Sequence, residues 1–449
     1  MTLARPAAGY LTAGLPGTGG LLREAPEDFR VEEIPLAPPG ESGEHLYLWV
    51  EKRGLPTLEA VRRLARLLEV PEREVGYAGL KDARAVTRQW CSFRLPGAAA
   101  ERRLARSGDA LGPGIRILSV KRGRAKLRRG AHAGNRFRIR IRGTGPGAGE
   151  RARAILEALR ARGAPNAFGA QRFGARGHSA EAGLALALGR AEDALAILLG
   201  GAGEEDDAPG FLAEARRRFA AGDYAGAKGL YPAEWRAERR VLSRLLEGQP
   251  PERAVRALPR RERGLLASAV QAALFNECLA RRLGMDAHDR LLPGDVAVSH
   301  RTGKVWRIGD PEKEAGALAR FEISPAGPLF GERMLRAGGE PGRMEMEGLT
   351  RRGLSPERLA EGLADAGVRG GRRPYRARPG EIEVEDGEGD LVLGFVLPPG
   401  AYATEVLREV TKTEPPLGEA AGRFLGGGGL GGLGAGATGI APKESGGEE

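Results

Sequence analysis

Apolar and polar residues alternate with period two at several places in the N-terminal third of the chain. FRVEEI (29–34) and HLYLWVEKRG (45–54) read as strands, the second closed by the turn signal Gly54. The spacing then changes to that of a helix. Thr57 is placed as its N-cap, with Val61, Leu64, Ala65 and Leu68 on a core-facing stripe and Arg62, Arg63 and Arg66 pointing away. EVGYAGLKDARAVTRQWCSFRL (74–95) predicts two strands joined by a polar stretch around Lys81 and Asp82, which puts Asp82 at a strand end. In KRGRAKLRRGAHAGNRFRIRIR (121–142), Phe137, Ile139 and Ile141 alternate with Arg136, Arg138, Arg140 and Arg142, the pattern of a strand with one basic face. A helix from about Glu150 follows, with Gly163 as its left-handed C-terminal residue.

From about Glu181 to Arg373 the pattern turns Ala-, Leu- and Arg-rich and helical, with short strand-like pieces at DVAVSH and KVWRIG. Strand alternation returns in EIEVEDGEGDLVLGFVLP (381–398), with Asp386 and Gly387 in a hairpin-like connection. After Pro416 the chain is rich in glycine and has too few core-forming residues to fold alone, so disorder is expected there.

Composition narrows the function classes. A chain of 449 residues with 41% apolar content is too long for one ordinary core, and two domains are expected. Seventy Lys and Arg against 59 Asp and Glu give a formal charge of +11, which favours a polyanionic partner, nucleic acid first. An Arg-rich genome would produce the same excess without any such partner. The two cysteines, Cys91 and Cys278, are far apart, and the five histidines do not cluster, so neither a disulfide framework nor a zinc site is expected. No P-loop motif is present, and the glycine run near the C-terminus follows no strand. The first twenty residues hold no apolar core of signal-peptide length, and no later stretch has the length to span a bilayer, so a cytoplasmic protein is expected.

The strongest local signal for chemistry is GYAGLKDARAVTRQW (76–90), where Asp82 has cations on both sides. By itself a loop aspartate near basic residues is more often a cap or a surface ion pair. As a nucleophile it would be ionised at neutral pH, with a reference pKa of about 3.9, and inside a covered pocket it would need a cationic partner. Lys81 is its neighbour, but adjacent side chains of an extended segment face opposite ways, which leaves Arg84 or a distant Arg as the better candidate. In GNRF (134–137), Asn135 and Phe137 share a strand face, an amide and a ring suited to reading and stacking on a flipped base; a turn Asn followed by a core Phe explains the same residues. Phe29 of PEDF and Tyr402 of GAYAT add aromatics near strand ends, where core packing is again the plainer explanation.

Taken in order, GTGGLLREAPEDFRVEE, GYAGLKDARAVTRQW, GNRFRIRIRG, PNAFGAQRFG, SAVQAALFN and FVLPPGAYATEVLREV resemble the TruD family of tRNA pseudouridine synthases, from about Gly17 to about Glu409. The resemblance implies an α+β fold: a catalytic domain with a mixed, largely antiparallel sheet, interrupted by an inserted α/β domain. The catalytic domain would take residues 1–162 and 378–415, the insertion 163–377, and the glycine-rich tail 416–449. The resemblance further implies Asp82 as the catalytic nucleophile and Phe29, Asn135 and Tyr402 as substrate contacts, with Arg23 standing where the family usually has Lys. Tyr402 stands where Phe is common, and Pro56 where an Asn is expected. Arg23 and Phe137 are also placed at the substrate, and Arg138 and Arg140 at nearby phosphates. The implied reaction isomerises uridine in tRNA, usually at position thirteen, with no cofactor, no metal and no protein partner. It leaves open whether the carboxylate bonds to the ribose C1′ or removes a sugar proton to give a glycal. Two other classes are weighed beside it: a non-catalytic RNA-binding protein on the same fold, and a metal-dependent phosphate-directed enzyme suggested by the acidic runs EEDD and EVED.

Overall fold

The computed structural model describes residues 9–97, 102–104, 111–174, 176–200 and 210–413; the tail 416–449 expected to be disordered lies outside the described residues. The alternating segments form the strands β1 (Leu21–Leu22), β2 (Phe29–Pro35), β3 (His45–Arg53), β4 (Val75–Tyr77), β5 (Val86–Arg94), β6 (Ile115–Gly123) and β7 (His132–Arg142). After the long central segment come β14 (Gly380–Asp386) and β15 (Asp390–Leu397). Among the described residues these nine strands make one sheet in the order β14-β15-β7-β2-β5-β3-β6, with β1 on β7 and β4 on β5. Only the β2–β5 pair is parallel. The fold is therefore α+β with a mixed, largely antiparallel sheet.

Cross-strand registers sort the side chains into two faces, because directly opposed residues point the same way. Phe29 opposes Ile139, Val31 opposes Phe137 and Glu33 opposes Asn135. Lys52 opposes Thr87 and Val50 opposes Gln89. On this front face the helices Ala148–Arg162 and Ala403–Thr411 cover Phe137, Ile139, Ile141 and Phe395. The helix Thr57–Leu67 covers Leu46, Leu48, Val50 and Phe93, with Leu64 fully buried. The rear face carries charge. Thr57 is the first helical residue, not the expected N-cap; Pro56 occupies the cap, and its fixed φ of −64° suits the turn into the helix. The helix expected from Glu150 begins at Ala148.

The central segment contains the strands β8 (Ala164–Pro165), β9 (Val296–Ser299), β10 (Val305–Arg307), β11 (Ile323–Leu329), β12 (Gly371–Pro374) and β13 (Arg376–Ala377). Of these, β10-β9-β11-β12 form a second sheet, packed with the helix Arg260–Gly284, and β8 pairs with β13. The chain thus leaves the nine-stranded sheet and returns to it at adjacent points. Gly163 sits at the departure with φ 86° and ψ 131°, so it has the positive φ expected but not the left-handed helical ψ. The extended ψ turns the chain straight into β8, and a Cβ at this position would lie 2.8 Å from the Arg376 Cβ. The Asp386–Gly387 hairpin forms as expected, with its left-handed residue at Gly389, φ 81°.

Candidate active site

The loop between β4 and β5 carries Asp82, a few residues ahead of the strand rather than at its end. Buried polar groups of the front face hold this loop. Lys52, 2% exposed, points from β3 and donates from Nζ to the Asp82 carbonyl at 2.6 Å. The Thr57 hydroxyl accepts from the Lys81 N–H at 2.9 Å and donates to Gln89 Oε1 at 3.0 Å, while Gln89 Nε2 donates to the Gly79 carbonyl at 3.0 Å. Thr57, misplaced as a cap, is a strut for the loop. Such fixed backbone contacts keep a reacting side chain in one geometry.

The Asp82 carboxylate receives three donors. Arg23 Nη2 lies 2.7 Å and Gln171 Nε2 3.1 Å from Oδ2, and the Arg84 N–H lies 3.3 Å from Oδ1. Arg23 is thus its cationic partner, and Arg84 contributes a backbone amide. The Asp82 and Arg23 side chains are 17% and 18% exposed, open enough to meet a ligand and covered enough for their charges to interact strongly. Burial pushes the Asp82 carboxyl up. The charge of Arg23, the Gln171 and Arg84 donors and the charge of Lys52 outweigh it and hold the carboxyl below its ordinary range. The carboxylate is therefore ionised at neutral pH. The same burial drops the Lys52 ammonium to about 7.

Arg23 is clamped on its other side. Its guanidinium lies over the Phe29 ring at 4.3 Å, and its backbone adopts φ 65°, unusual for a residue with a Cβ. Phe29 is 3% exposed, edge-on to Phe137 at 6.2 Å, and so borders the site through Arg23. Phe137, expected at the substrate, is 7% exposed and stacked on Phe395 at 5.4 Å. A strand residue on the helix-covered face between Phe29 and Phe395 belongs to the core. Asn135, two residues earlier on the same face, is only partly buried, and its Oδ1 accepts from Lys81 Nζ at 2.6 Å. Lys81 Nζ also lies 3.0 Å from Glu33 Oε2, the two side chains being 5% and 1% exposed. Burial raises the Glu33 carboxyl against the opposing pull of Lys81.

Tyr402 precedes the helix Ala403–Thr411 and meets Phe168 edge-on at 6.1 Å. Gly169, in the motif that also carries Gln171, allows this approach: a Cβ there would be 2.8 Å from Thr404 Oγ1 and 3.1 Å from Tyr402 Cδ1. Arg373 lies over the other side of this group, 4.1 Å from the Phe168 ring centroid. Asp82 and Tyr402 thus sit on two motifs joined through the segment 166–173.

The basic face of β7 is on the rear of the sheet, away from Asp82. Arg138 makes a two-pronged pair with Glu385 at 2.8 and 2.7 Å, Arg136 pairs with Glu381 at 2.6 Å, and Arg140 lies 3.6 Å from Asp390. This corrects the assignment of Arg138 and Arg140 to phosphates near the reacting base. Their parity along the strand is opposite to that of Asn135, and acidic partners from β14 and β15 neutralise them.

Of the groups that hold the site, Gln171 was visible only as part of a motif, whereas Lys52 and Glu33 carried a signal of their own. Lys52 follows Leu46, Leu48 and Val50 on one strand face, and Glu33 follows Phe29 and Val31. A charged residue continuing an apolar stripe marks a buried polar contact.

Residues 7–410 match the family described as tRNA pseudouridine synthase D (TruD). A tRNA pseudouridine synthase D of Geobacter sulfurreducens is 47% identical over 410 residues, covering 90% of this chain and 96% of that protein. One from Anaeromyxobacter dehalogenans is 39% identical over 413 residues, covering 91% and 98%. A crystal structure titled as the putative tRNA pseudouridine synthase D of Methanosarcina mazei superposes with a TM-score of 0.72 at 28% identity, covering 91% of this chain and 97% of that one. With a match spanning both flanks of the central segment, the chain belongs to the TruD family of tRNA pseudouridine synthases.

Proposed function

We propose that this protein isomerises uridine to pseudouridine in tRNA with Asp82 as the reacting carboxylate. The observation that carries the reading is the ionised carboxylate of Asp82, held by Arg23 at 2.7 Å and Gln171 at 3.1 Å on a loop braced by buried Lys52. The reaction breaks the C1′–N1 bond, forms C1′–C5, releases the C5 proton and places one on N1, so nothing is oxidised or reduced and no cofactor is called for. An ionised carboxylate beside the sugar serves both open routes, capture of C1′ and removal of a sugar proton. Arg23 offsets the cost of keeping that charge under a covering RNA. Phe29 supports Arg23 from beneath, Tyr402 walls the base, and Asn135 holds its edge.

The substrate reading extends to the uridine at position thirteen, with the base flipped out of folded tRNA at a cost of a few kcal/mol. Residues 163–377 act as an inserted domain whose Gln171 completes the carboxylate site. The protein works in the cytoplasm, where tRNA is matured; among the described residues no helix is long and apolar enough to cross a membrane. The test is release of tritium from C5-labelled uracil in tRNA. Turnover by the wild type and none by Asp82→Ala, with tRNA binding retained by both, is expected; release at background by the wild type marks a pure RNA binder. Mapping pseudouridines in cells lacking the protein then identifies the uridine by the mark that disappears.

A further inference from the structure

The three buried or half-buried side chains Glu33, Lys81 and Asn135 form a chain of contacts beside Asp82. An ammonium has three donors and no acceptor, so the Asn135 atom 2.6 Å from Lys81 Nζ has to be the amide oxygen, whichever way an isolated amide would turn. Glu33, 3.0 Å from the same ammonium and 1% exposed, holds the lysine in place. With Oδ1 engaged, the amide keeps only its Nδ2 donors, and among the described residues Nδ2 has no protein acceptor.

We propose that Lys81 and Glu33 lock Asn135 as a hydrogen-bond donor that selects uracil by a ring carbonyl, O4 in the bound uridine and O2 once the base has turned. This rests on the reading above that Asn135 meets the base. The chemistry of the isomerisation gives the device its use. Rotating uracil by half a turn about the line from N3 to C6 exchanges N1 with C5, which the reaction requires, and exchanges O2 with O4. A donor on that edge therefore meets a carbonyl before and after rotation. Cytosine has no such symmetry. It presents an amino group in place of O4, and a donor facing a donor leaves both unpaired, the arrangement that discriminates most strongly against a wrong base. Asn135 is the specificity residue, and Lys81 and Glu33 are positioning residues acting through it.

Variants at Asn135, Lys81 and Glu33 test this on tRNA transcripts carrying uridine or 4-thiouridine at the target, sulfur being a poor acceptor. The wild type is expected to turn over uridine about tenfold faster than 4-thiouridine, the worth of one hydrogen bond. Asn135→Ala lowers the uridine rate and abolishes the preference; an unchanged rate and preference would remove Asn135 from the base and with it the functional reading of that residue. Asn135→Asp keeps the shape but offers acceptors only, so kcat falls at least tenfold with KM for tRNA little changed. Retention of full activity by this variant overturns the donor assignment while leaving the base contact standing. Lys81→Met frees the amide to turn and is expected to lose the uridine preference, and Lys81→Arg, again a pure donor, restores it. A folded Lys81→Met with wild-type preference overturns the lock; should that variant not fold, Glu33→Gln is expected to weaken the uridine preference, and wild-type preference in that variant overturns the lock.

Discussion

The two faces of the nine-stranded sheet are both laced with ion pairs, yet they use charge in opposite ways. On the rear face Arg138 and Glu385 are 50% and 55% exposed, Arg136 and Glu381 50% and 60%, and Arg88 reaches both Glu32 and Glu51. Such pairs gain little, because water screens the attraction and ordering two long side chains costs entropy; typical values are about 0.2–1 kcal/mol. On the front face Lys81 and Glu33 are 5% and 1% exposed, and Lys52 is 2% exposed against the backbone of Asp82. Removing one member of a buried pair costs about 3–5 kcal/mol because the other is left uncompensated. The lesson is that the density of charge on a face says little about where the chemistry is. In the proposed reading, desolvated charge is what marks it.

The sharpest way to break this comparison is at the carboxylate. Asp82→Asn keeps the volume but removes the negative charge, and pseudouridine formation is expected to fall by at least about 10⁴-fold, the scale for losing a reacting group. Tritium release measures it, and filter binding of tRNA checks that the fold survives. Next comes its partner. Arg23→Met leaves Asp82 with burial pushing its carboxyl up and less to hold it down, so kcat is expected to fall about 10²–10³-fold. The sign of the pH effect follows. The wild-type carboxyl lies below its ordinary range, so wild-type rate is flat from pH 7 to 5, whereas the variant loses rate as pH falls over that interval. Arg23→Lys restores part of the rate, and a flat profile for Arg23→Met would show that Arg23 does not set the charge of Asp82.

Lys52 gives a smaller effect, read in stability. Its ammonium is depressed to about 7 in the folded protein, while the unfolded chain holds that proton to much higher pH. The unfolded state therefore binds more protons above pH 7, and wild-type stability rises with pH from there by at most about 1.4 kcal/mol per unit. This contribution is lost as pH falls through 7. Lys52→Met lacks the slope, so the gap between wild-type and variant melting temperatures should shift in favour of the wild type from pH 7 to pH 9. The smallest change is predicted on the rear face. Arg138→Ser should cost less than about 1 kcal/mol in a urea titration and leave turnover and the salt dependence of tRNA affinity within twofold. A large loss of tRNA affinity would mean that the rear face touches RNA.

The period-two segments of β2, β3, β5 and β7 were legible because each buries one side against helices, and a strand so placed has to alternate. The turn at Gly54, φ 63°, and the hairpin before Asp390 were legible for an equally local reason, since few residues adopt the required backbone. Asp82 was legible as a candidate through its ordered motifs. Thr57 was misread because a hydroxyl at a helix start satisfies either its own helix or a neighbouring loop, and only the loop's position decides between them. The packing of Phe137 was not legible because two residues on one strand face need not be equally covered: Asn135 is partly buried, whereas Phe137 belongs to the core beneath the helices.

Sequence alone therefore determined what short-range periodicity, turn chemistry and motif order encode: the strands, the basic stripe, the central helical segment and the aspartate. Tertiary structure alone decided what depends on contacts between distant residues. It brought Arg23 and Gln171 to Asp82 across separations of 59 and 89 residues, and it turned the arginines of β7 away from the site toward acidic partners more than 240 residues on. The physical reason is that a side chain's charge is written in the sequence, but its dielectric surroundings and its partner are properties of the packed fold.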